Sequence, residues 1–182
     1  MEIDDEGSTV PAPDRRIRLR TAGDVEPCVR VLAEVHRSDG YPVNWPESPG
    51  EWLSDASGLG AWVAELDGRV AGHVSLSRSG EGDVAPRLWS ERSGTSADRT
   101  AVVSRLFVAP GARGHGIGAQ LMDRAVGEAR RRGLQPVLDV VASDTAAAAL
   151  YERLGWTLMA TVEQRWSPTQ RVAVRCYAAA AM

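Results

Sequence analysis

The stretch FVAPGARGHGIG, Phe107 to Gly118, decides how this chain is read. A mostly apolar, β-branched run, TAVVSRLFVA over 100–109, leads into it and is stopped by Pro110. Behind it, AQLMDRAVGEARRRG places Leu121, Met122, Ala125, Val126 and Ala129 on one face, so a helix is expected from about Ile117 to Arg132. That helix ends with arginines at the negative end of its dipole and Gly133 at the C′ position. Between strand and helix the backbone is nearly bare, with Gly114, Gly116 and Gly118 alternating. Glycines let successive N–H groups face inward with no Cβ in the way, and a helix N-terminus adds unpaired donors and partial positive charge. Arg113 sets a fixed charge beside them. Such a loop is a cradle for phosphate.

Three phosphate ligands compete for it. The nucleoside-triphosphate loop G-x-x-x-x-G-K-[ST] needs a lysine, and all 21 basic residues of this chain are arginine. The dinucleotide fingerprint G-x-G-x-x-G/A fits Gly114, Gly116 and Ala119, with Asp139 as a nominal ribose acid. There the turn should follow the strand at once, but PGAR intervenes, and too few residues remain for a second nucleotide-binding half. The third reading, strand, Pro stop, then R-x-x-G-x-G into a helix, suits a pyrophosphate and meets neither objection.

Working outward, RIRLR (16–20) alternates as a strand, and TAGDVEPCVRVLAEVHRSDG reads as a helix with Asp24 at its cap. YPVNWPESPGEWLS is a Pro/Trp-rich connector with a helical turn from Ser48. GAWVAEL (60–66) and RVAGHVSLSR (69–78) are strands joined by the hairpin signal Asp67-Gly68. Residues 79–99 are expected to form a long polar loop. QPVLDVVA is a strand, SDTAAAALYERLG a short helix capped by Ser143 or Asp144, and WTLMATVEQRWS with TQRVAVRCYAA a closing hairpin. The order β-α-(α)-β-β-β-α-β-α-β-β implies a single α/β (α+β) domain over 15–182, preceded by a disordered acidic leader over 1–14.

Composition narrows the function classes. A net charge of −3 and a pI near 5.7 give no footing for nucleic acid. Without lysine, Schiff-base and lysine-nucleophile chemistry are excluded. His36, His73 and His115 lack metal-ligand spacing, so no metal is expected. Cys28 and Cys176 are far apart and read as reduced thiols. No apolar run approaches the ~20 residues of a membrane span, and the N-terminus lacks the pattern of a signal peptide, so a cytoplasmic protein without membrane partners is expected.

FVAPGARGHGIG resembles the V-x-P-x-x-[RQ]-x-x-G-x-[GA] stretch of the GCN5-related (GNAT) N-acetyltransferases, and DTAAAALYERLGW (144–156) resembles their N-x-x-A-x-x-[LF]-Y-x-x-x-G-[FW] block. Two blocks in order, one strand apart, are far more specific than either alone. The resemblance covers roughly 16–178 and implies a mixed, mostly antiparallel, splayed sheet flanked by helices. It implies acetyl-CoA as co-substrate, with main-chain contacts from Leu106, Phe107 and Val108 and a pyrophosphate cradle of Arg113, Gly114, His115, Gly116, Ile117 and Gly118. His115 occupies a variable slot and is expected to face solvent. Asp144 stands where the family often has Asn, which leaves a capping role in place of an amide contact.

By the same resemblance, a backbone N–H near Leu106 polarises the thioester carbonyl and Tyr151 protonates the departing thiolate. Many relatives carry a Glu on the fourth strand as general base, but TAVVSRLFV has no acid. His73 is the candidate base, on the strength of its intrinsic pKa and a strand face shared with Ser75 and Ser77; Glu65, Glu163 and Asp83 are alternatives, as is a water chain. Tyr41, Trp45 and Trp52 are candidates for an aromatic acceptor wall. The expected function is acetyl transfer to a primary amine of a small molecule, with a protein or peptide N-terminus, or a non-catalytic acyl-CoA sensor, as alternatives. Relatives often pair through the final strands, so a homodimer is expected.

Overall fold

The structure, a computed structural model, describes residues 12–54 and 58–181; most of the expected leader therefore lies outside the described residues. Seven strands form one sheet: β1 (Arg15–Leu19), β2 (Gly58–Leu66), β3 (Arg69–Arg78), β4 (Thr100–Val108), β5 (Gln135–Val141), β6 (Thr157–Ser167) and β7 (Gln170–Ala178). Their spatial order is β1-β2-β3-β4-β5-β7-β6. Every neighbouring pair is antiparallel except β4–β5, which is parallel.

Among the described residues, five α-helices cover the two faces. Helix α4 (Ile117–Arg131) lays Leu121, Met122, Ala125 and Ala129 on Trp62, Ala64, Val74 and Leu76, and α5 (Thr145–Arg153) adds Ala148 and Tyr151 to the same core. Gly72 lets the layers approach closely, since a Cβ there would stand 3.1 Å from the Phe107 carbonyl and from Leu121. On the opposite face α1 (Val25–Asp39) and α2 (Pro49–Leu53) pack Cys28, Leu32, Val35 and Leu53 onto Val63 and Phe107.

The remaining helix corrects the expected loop. Residues Val84–Ser93 form α3, which packs Ala85, Leu88 and Trp89 against Val137, Met159 and Val174. Its boundary signals are in the sequence: Asp83 at the N-cap, Pro86 in the first turn, and Gly94 at +71° as the left-handed stop. Glycine and serine at both flanks mask a helix whose apolar face is only three residues. With α1, α2 and α3 on one side and α4 on the other, β3 is buried on both faces from Ala71 to Ser77. The polar row His73–Ser75–Ser77 therefore lies under helices and not at solvent.

Candidate active site

The parallel pair is short. β4 and β5 are in register only over Thr100–Val102 and Gln135–Val137, and beyond that they part. The wedge between them opens a cleft of about 1070 Å³, walled by Val103–Val108 on one side and Asp139–Val141 on the other. Past Val102 the β5-facing edge of β4 has no strand partner, so it presents main-chain groups to whatever extended ligand enters. Leu106, Phe107 and Val108 all line this edge. Phe107 sends its ring into the α1–α2 core, so what it offers the cleft is backbone.

At one end of the cleft lies the glycine loop. Gly114 and Gly116 have φ of +85° and +72°, a left-handed backbone that carries Pro110–Ala112 round into α4. Gly116 is the N-cap and no side chain caps the helix, so its first-turn N–H groups are open toward the cleft. Gly118 is closely packed: a Cβ there would stand 3.3 Å from the Leu150 side chain of α5. Ile117 anchors the turn in the core. Arg113 is held at the rim by an ion pair to Asp39 at the end of α1. His115 is skipped by the lining, which passes from Gly114 to Gly116. Asp144 accepts a hydrogen bond from Ala147 N–H (3.1 Å), the capping role expected of it, and also lines the cleft. An uncapped helix end and a bare loop fit an anionic group, and the open strand edge beside them fits a long extended arm.

Toward the middle stands Tyr151, 7% exposed, its ring 5.9 Å from Tyr177 and 6.1 Å from Trp156. Desolvation holds its phenol well above the usual range, and the neighbouring Tyr41 and Asp144 add to the effect. Tyr41 and Trp52, 6.5 Å apart, line the same space, whereas Trp45 packs on His36 (5.2 Å) and is 41% exposed. Arg105 lies over the Trp52 ring at 4.8 Å.

Of the candidate bases, none of the four stands in the cleft wall. His73 is fully buried: its Nδ1 lies 2.9 Å from the Arg105 carbonyl and its Nε2 3.0 Å from Arg20 Nη1, so both ring nitrogens are occupied. Burial lowers its pKa to about 4. Glu65 is paired with Arg18 (2.7 Å), Glu163 with Arg171 (3.2 Å), and Asp83 accepts from Gly80 N–H (2.7 Å). Three carboxylates line the cleft: Asp39, paired with Arg113, Asp144, which caps α5, and Asp139 on β5, which has no cationic partner among the described ion pairs. Desolvation raises its pKa, Cys176 and the Ala85 amide donate to it, and nearby Asp83 pushes it further up. Its signal in the sequence is a single charge inside the apolar strand QPVLDVV.

A strap of two amides ties two distant segments together beside the cleft. Asn44, in the α1–α2 connection, and Gln170, at the start of β7, exchange two amide hydrogen bonds of 2.9 and 3.2 Å. Val43, Asn44 and Trp166 line the cleft around this pair.

A strand-edge cleft ending at an uncapped helix over a glycine loop defines a protein built to hold a long phosphorylated carrier beside a reaction chamber. The chain belongs to the acetyltransferase (GNAT) family, whose model matches residues 29–156. It is 34% identical over 96 residues to the protein named Probable N-acetyltransferase camello of Xenopus tropicalis, covering 52% of this chain and 37% of that protein. It is 27% identical over 145 residues to an N-acetyltransferase of Methanocaldococcus jannaschii, covering 77% and 59% respectively. The chain thus spans less than two thirds of the length of each of these relatives. Among solved structures, the Escherichia coli ribosomal-protein-S18-alanine N-acetyltransferase superimposes with a TM-score of 0.65 at 21% identity over 91% of this chain and 93% of that one. A candidate acetyltransferase of Salmonella typhimurium, solved with its cofactor acetyl-CoA, gives 0.62 at 21% over 90% and 92%. These share the fold.

Proposed function

We propose that the chain transfers an acetyl group from acetyl-CoA to the primary amine of a small molecule, by direct attack in a ternary complex. The observation that carries the small-molecule part is the Asn44–Gln170 strap. It ties the α1–α2 connection to the β6–β7 hairpin beside Val43, Asn44 and Trp166 of the cleft wall, which narrows the room for a polypeptide tail. Bound acetyl-CoA supplies the acetyl group as a thioester.

Every other contribution comes from the chain. The open amides of the Gly114–Gly118 turn and Arg113 hold the pyrophosphate, and the main chain of Leu106–Val108 holds the arm. Asp139 takes the proton of the attacking amine, and its raised proton affinity suits that task. Tyr151 gives its proton to the departing sulfur, and its raised pKa keeps that proton in place at neutral pH. Tyr41, Trp52 and Trp166 wall the acceptor chamber. The free, buried thiols Cys28 and Cys176 suit a reducing cytoplasm, and the long, largely exposed edge strand β6 is where we place a homodimer contact.

Thiol release from acetyl-CoA with small amines and with peptide N-termini tests this. Small amines should turn over and peptides should not, until Asn44→Ala/Gln170→Ala opens the chamber. Peptides acetylated as fast as small amines by the native chain would overturn the small-molecule reading.

A further inference from the structure

His73 touches neither amine nor carrier, yet its surroundings are more constrained than packing requires. A guanidinium only donates, so Nε2 must accept from Arg20, and the ring proton sits on Nδ1, donated to the Arg105 carbonyl. The ring is stacked on Phe107, 5.2 Å away at 17°. Arg20 Nη1 also donates to the Leu53 carbonyl at 2.7 Å. A line of hydrogen bonds therefore runs from the end of α2, through Arg20 and His73, to a carbonyl of β4.

That carbonyl belongs to an unusual residue. Arg105 has φ of +53°, a left-handed backbone at a non-glycine position. It sits in a bulge: His73 pairs with Phe107 and Ser75 with Ser104, so β4 has one residue more than β3 over this interval. Backbone of this kind persists only where the surroundings over-determine it. Here His73 holds the residue by its carbonyl and Trp52 lies under its guanidinium. The peptide joining Arg105 to Leu106 is planar and trans, so its C=O and N–H point in opposite directions. Fixing the oxygen on His73 therefore aims the Leu106 N–H away from His73, within a stretch that lines the cleft.

We propose that His73 and Arg20 are positioning residues that lock the Arg105–Leu106 peptide, so that the Leu106 amide is presented to the acyl end of the cleft. The proposal rests on the acetyl-CoA reading above. It also gives α2, part of the acceptor wall, a direct mechanical link to the acyl end.

Two isosteres separate this role from core filling. His73→Asn keeps an amide N–H where Nδ1 sits, and so keeps the bond to Arg105. His73→Gln puts its amide where Nε2 sits, keeping Arg20 and losing Arg105. Infrared spectra of bound [1-13C]acetyl-CoA report polarisation of the thioester carbonyl, and calorimetry compares acetyl-CoA with CoA. The native chain and His73→Asn should lower the carbonyl stretch relative to free acetyl-CoA. His73→Gln should lose most of that shift and bind acetyl-CoA roughly fivefold more weakly, a hydrogen bond's worth, with CoA affinity unchanged. Arg20→Met should lose part of the shift.

A full native shift in His73→Gln would overturn the proposal. If that variant does not fold, a full shift in Arg20→Met overturns it instead. Failure of the native chain to bind CoA at all would overturn the function reading on which it rests.

Discussion

The two ends of the cleft are built from different material. The carrier end is main chain: an unpaired strand edge from Val103 to Val108, left-handed glycines at 114 and 116, and a helix start that no side chain caps. The end we assign to the acceptor is side chain: Tyr41, Trp52, Asp139, Trp166 and the Asn44–Gln170 strap, contributed by segments as far as 126 residues apart. A main-chain site depends on a few local residues that leave the backbone bare. A side-chain site depends on where the fold brings distant residues. Substitutions should therefore act differently at the two ends.

The largest effect belongs to the acceptor end. Asp139→Asn removes the carboxylate but keeps the shape, and turnover should fall by about 10³-fold, within the usual range for a general base, with acetyl-CoA affinity unchanged. Because its surroundings raise the Asp139 pKa, activity of the native chain should fall as pH drops through a value above that of a free aspartate. The variant should lack that acid limb. Steady-state rates across pH check both, and an acid limb that persists in Asp139→Asn would place the base elsewhere. Tyr151→Phe should cost about 10²-fold in turnover, again with acetyl-CoA binding intact.

The support beneath the acceptor end makes a pH prediction for stability. His73 stays neutral in the folded chain down to about pH 4, whereas an unfolded histidine takes up its proton near 6.5. The unfolded state thus binds the extra proton first, so stability is full above pH 6.5 and declines as pH falls toward 4. That difference corresponds to about 3 kcal/mol. Carboxylates titrate over part of the same window, so the test is the difference between native and His73→Asn denaturation curves. The native chain should lose about that much more than the variant between pH 7 and 4, and parallel pH profiles would refute a buried neutral His73.

The same division explains what the sequence made legible. Pro110, Arg113 and the alternating glycines specify a loop conformation locally, and with Tyr151 twelve residues after Asp139 they locate the cleft. The apolar periods of β4 and α4 place that loop between strand and helix. Helix α3 was hidden because Gly80, Gly82 and Gly94 dominate its flanks, while the residues it buries, Ala85, Leu88 and Trp89, form a short stripe whose partners lie in β5, β6 and β7. His73 looked like a base because strand alternation assigns faces without saying what covers them, and helices α1 and α2 cover that one. The sequence fits Asp139 to a dinucleotide's ribose, whereas on β5 it lines the cleft. Nothing in the spacing of Asn44 and Gln170 announces a contact, since it follows from the turn of one loop toward a hairpin at the opposite end of the chain.

The smallest predicted effect tests the carrier end on its own terms. If that end is made chiefly of backbone, the side chain set among its glycines should be dispensable and its smallest residues should not. His115 lies between two cradle glycines but outside the cleft lining, so His115→Ala should leave acetyl-CoA affinity within about 0.5 kcal/mol of native. Gly116→Ala adds one methyl group, and that methyl meets nothing closer than Arg15, 3.9 Å away. Space is therefore no obstacle; the obstacle is φ at +72°, which costs an L-residue roughly 1–2 kcal/mol. The loop should relax away from that conformation and weaken acetyl-CoA binding about tenfold, with Gly116→Val weaker still because a β-branched residue tolerates the left-handed region least. Titration calorimetry of the three variants gives the order directly. An His115→Ala loss as large as that of Gly116→Ala would mean that side chain, and not bare backbone, holds the carrier.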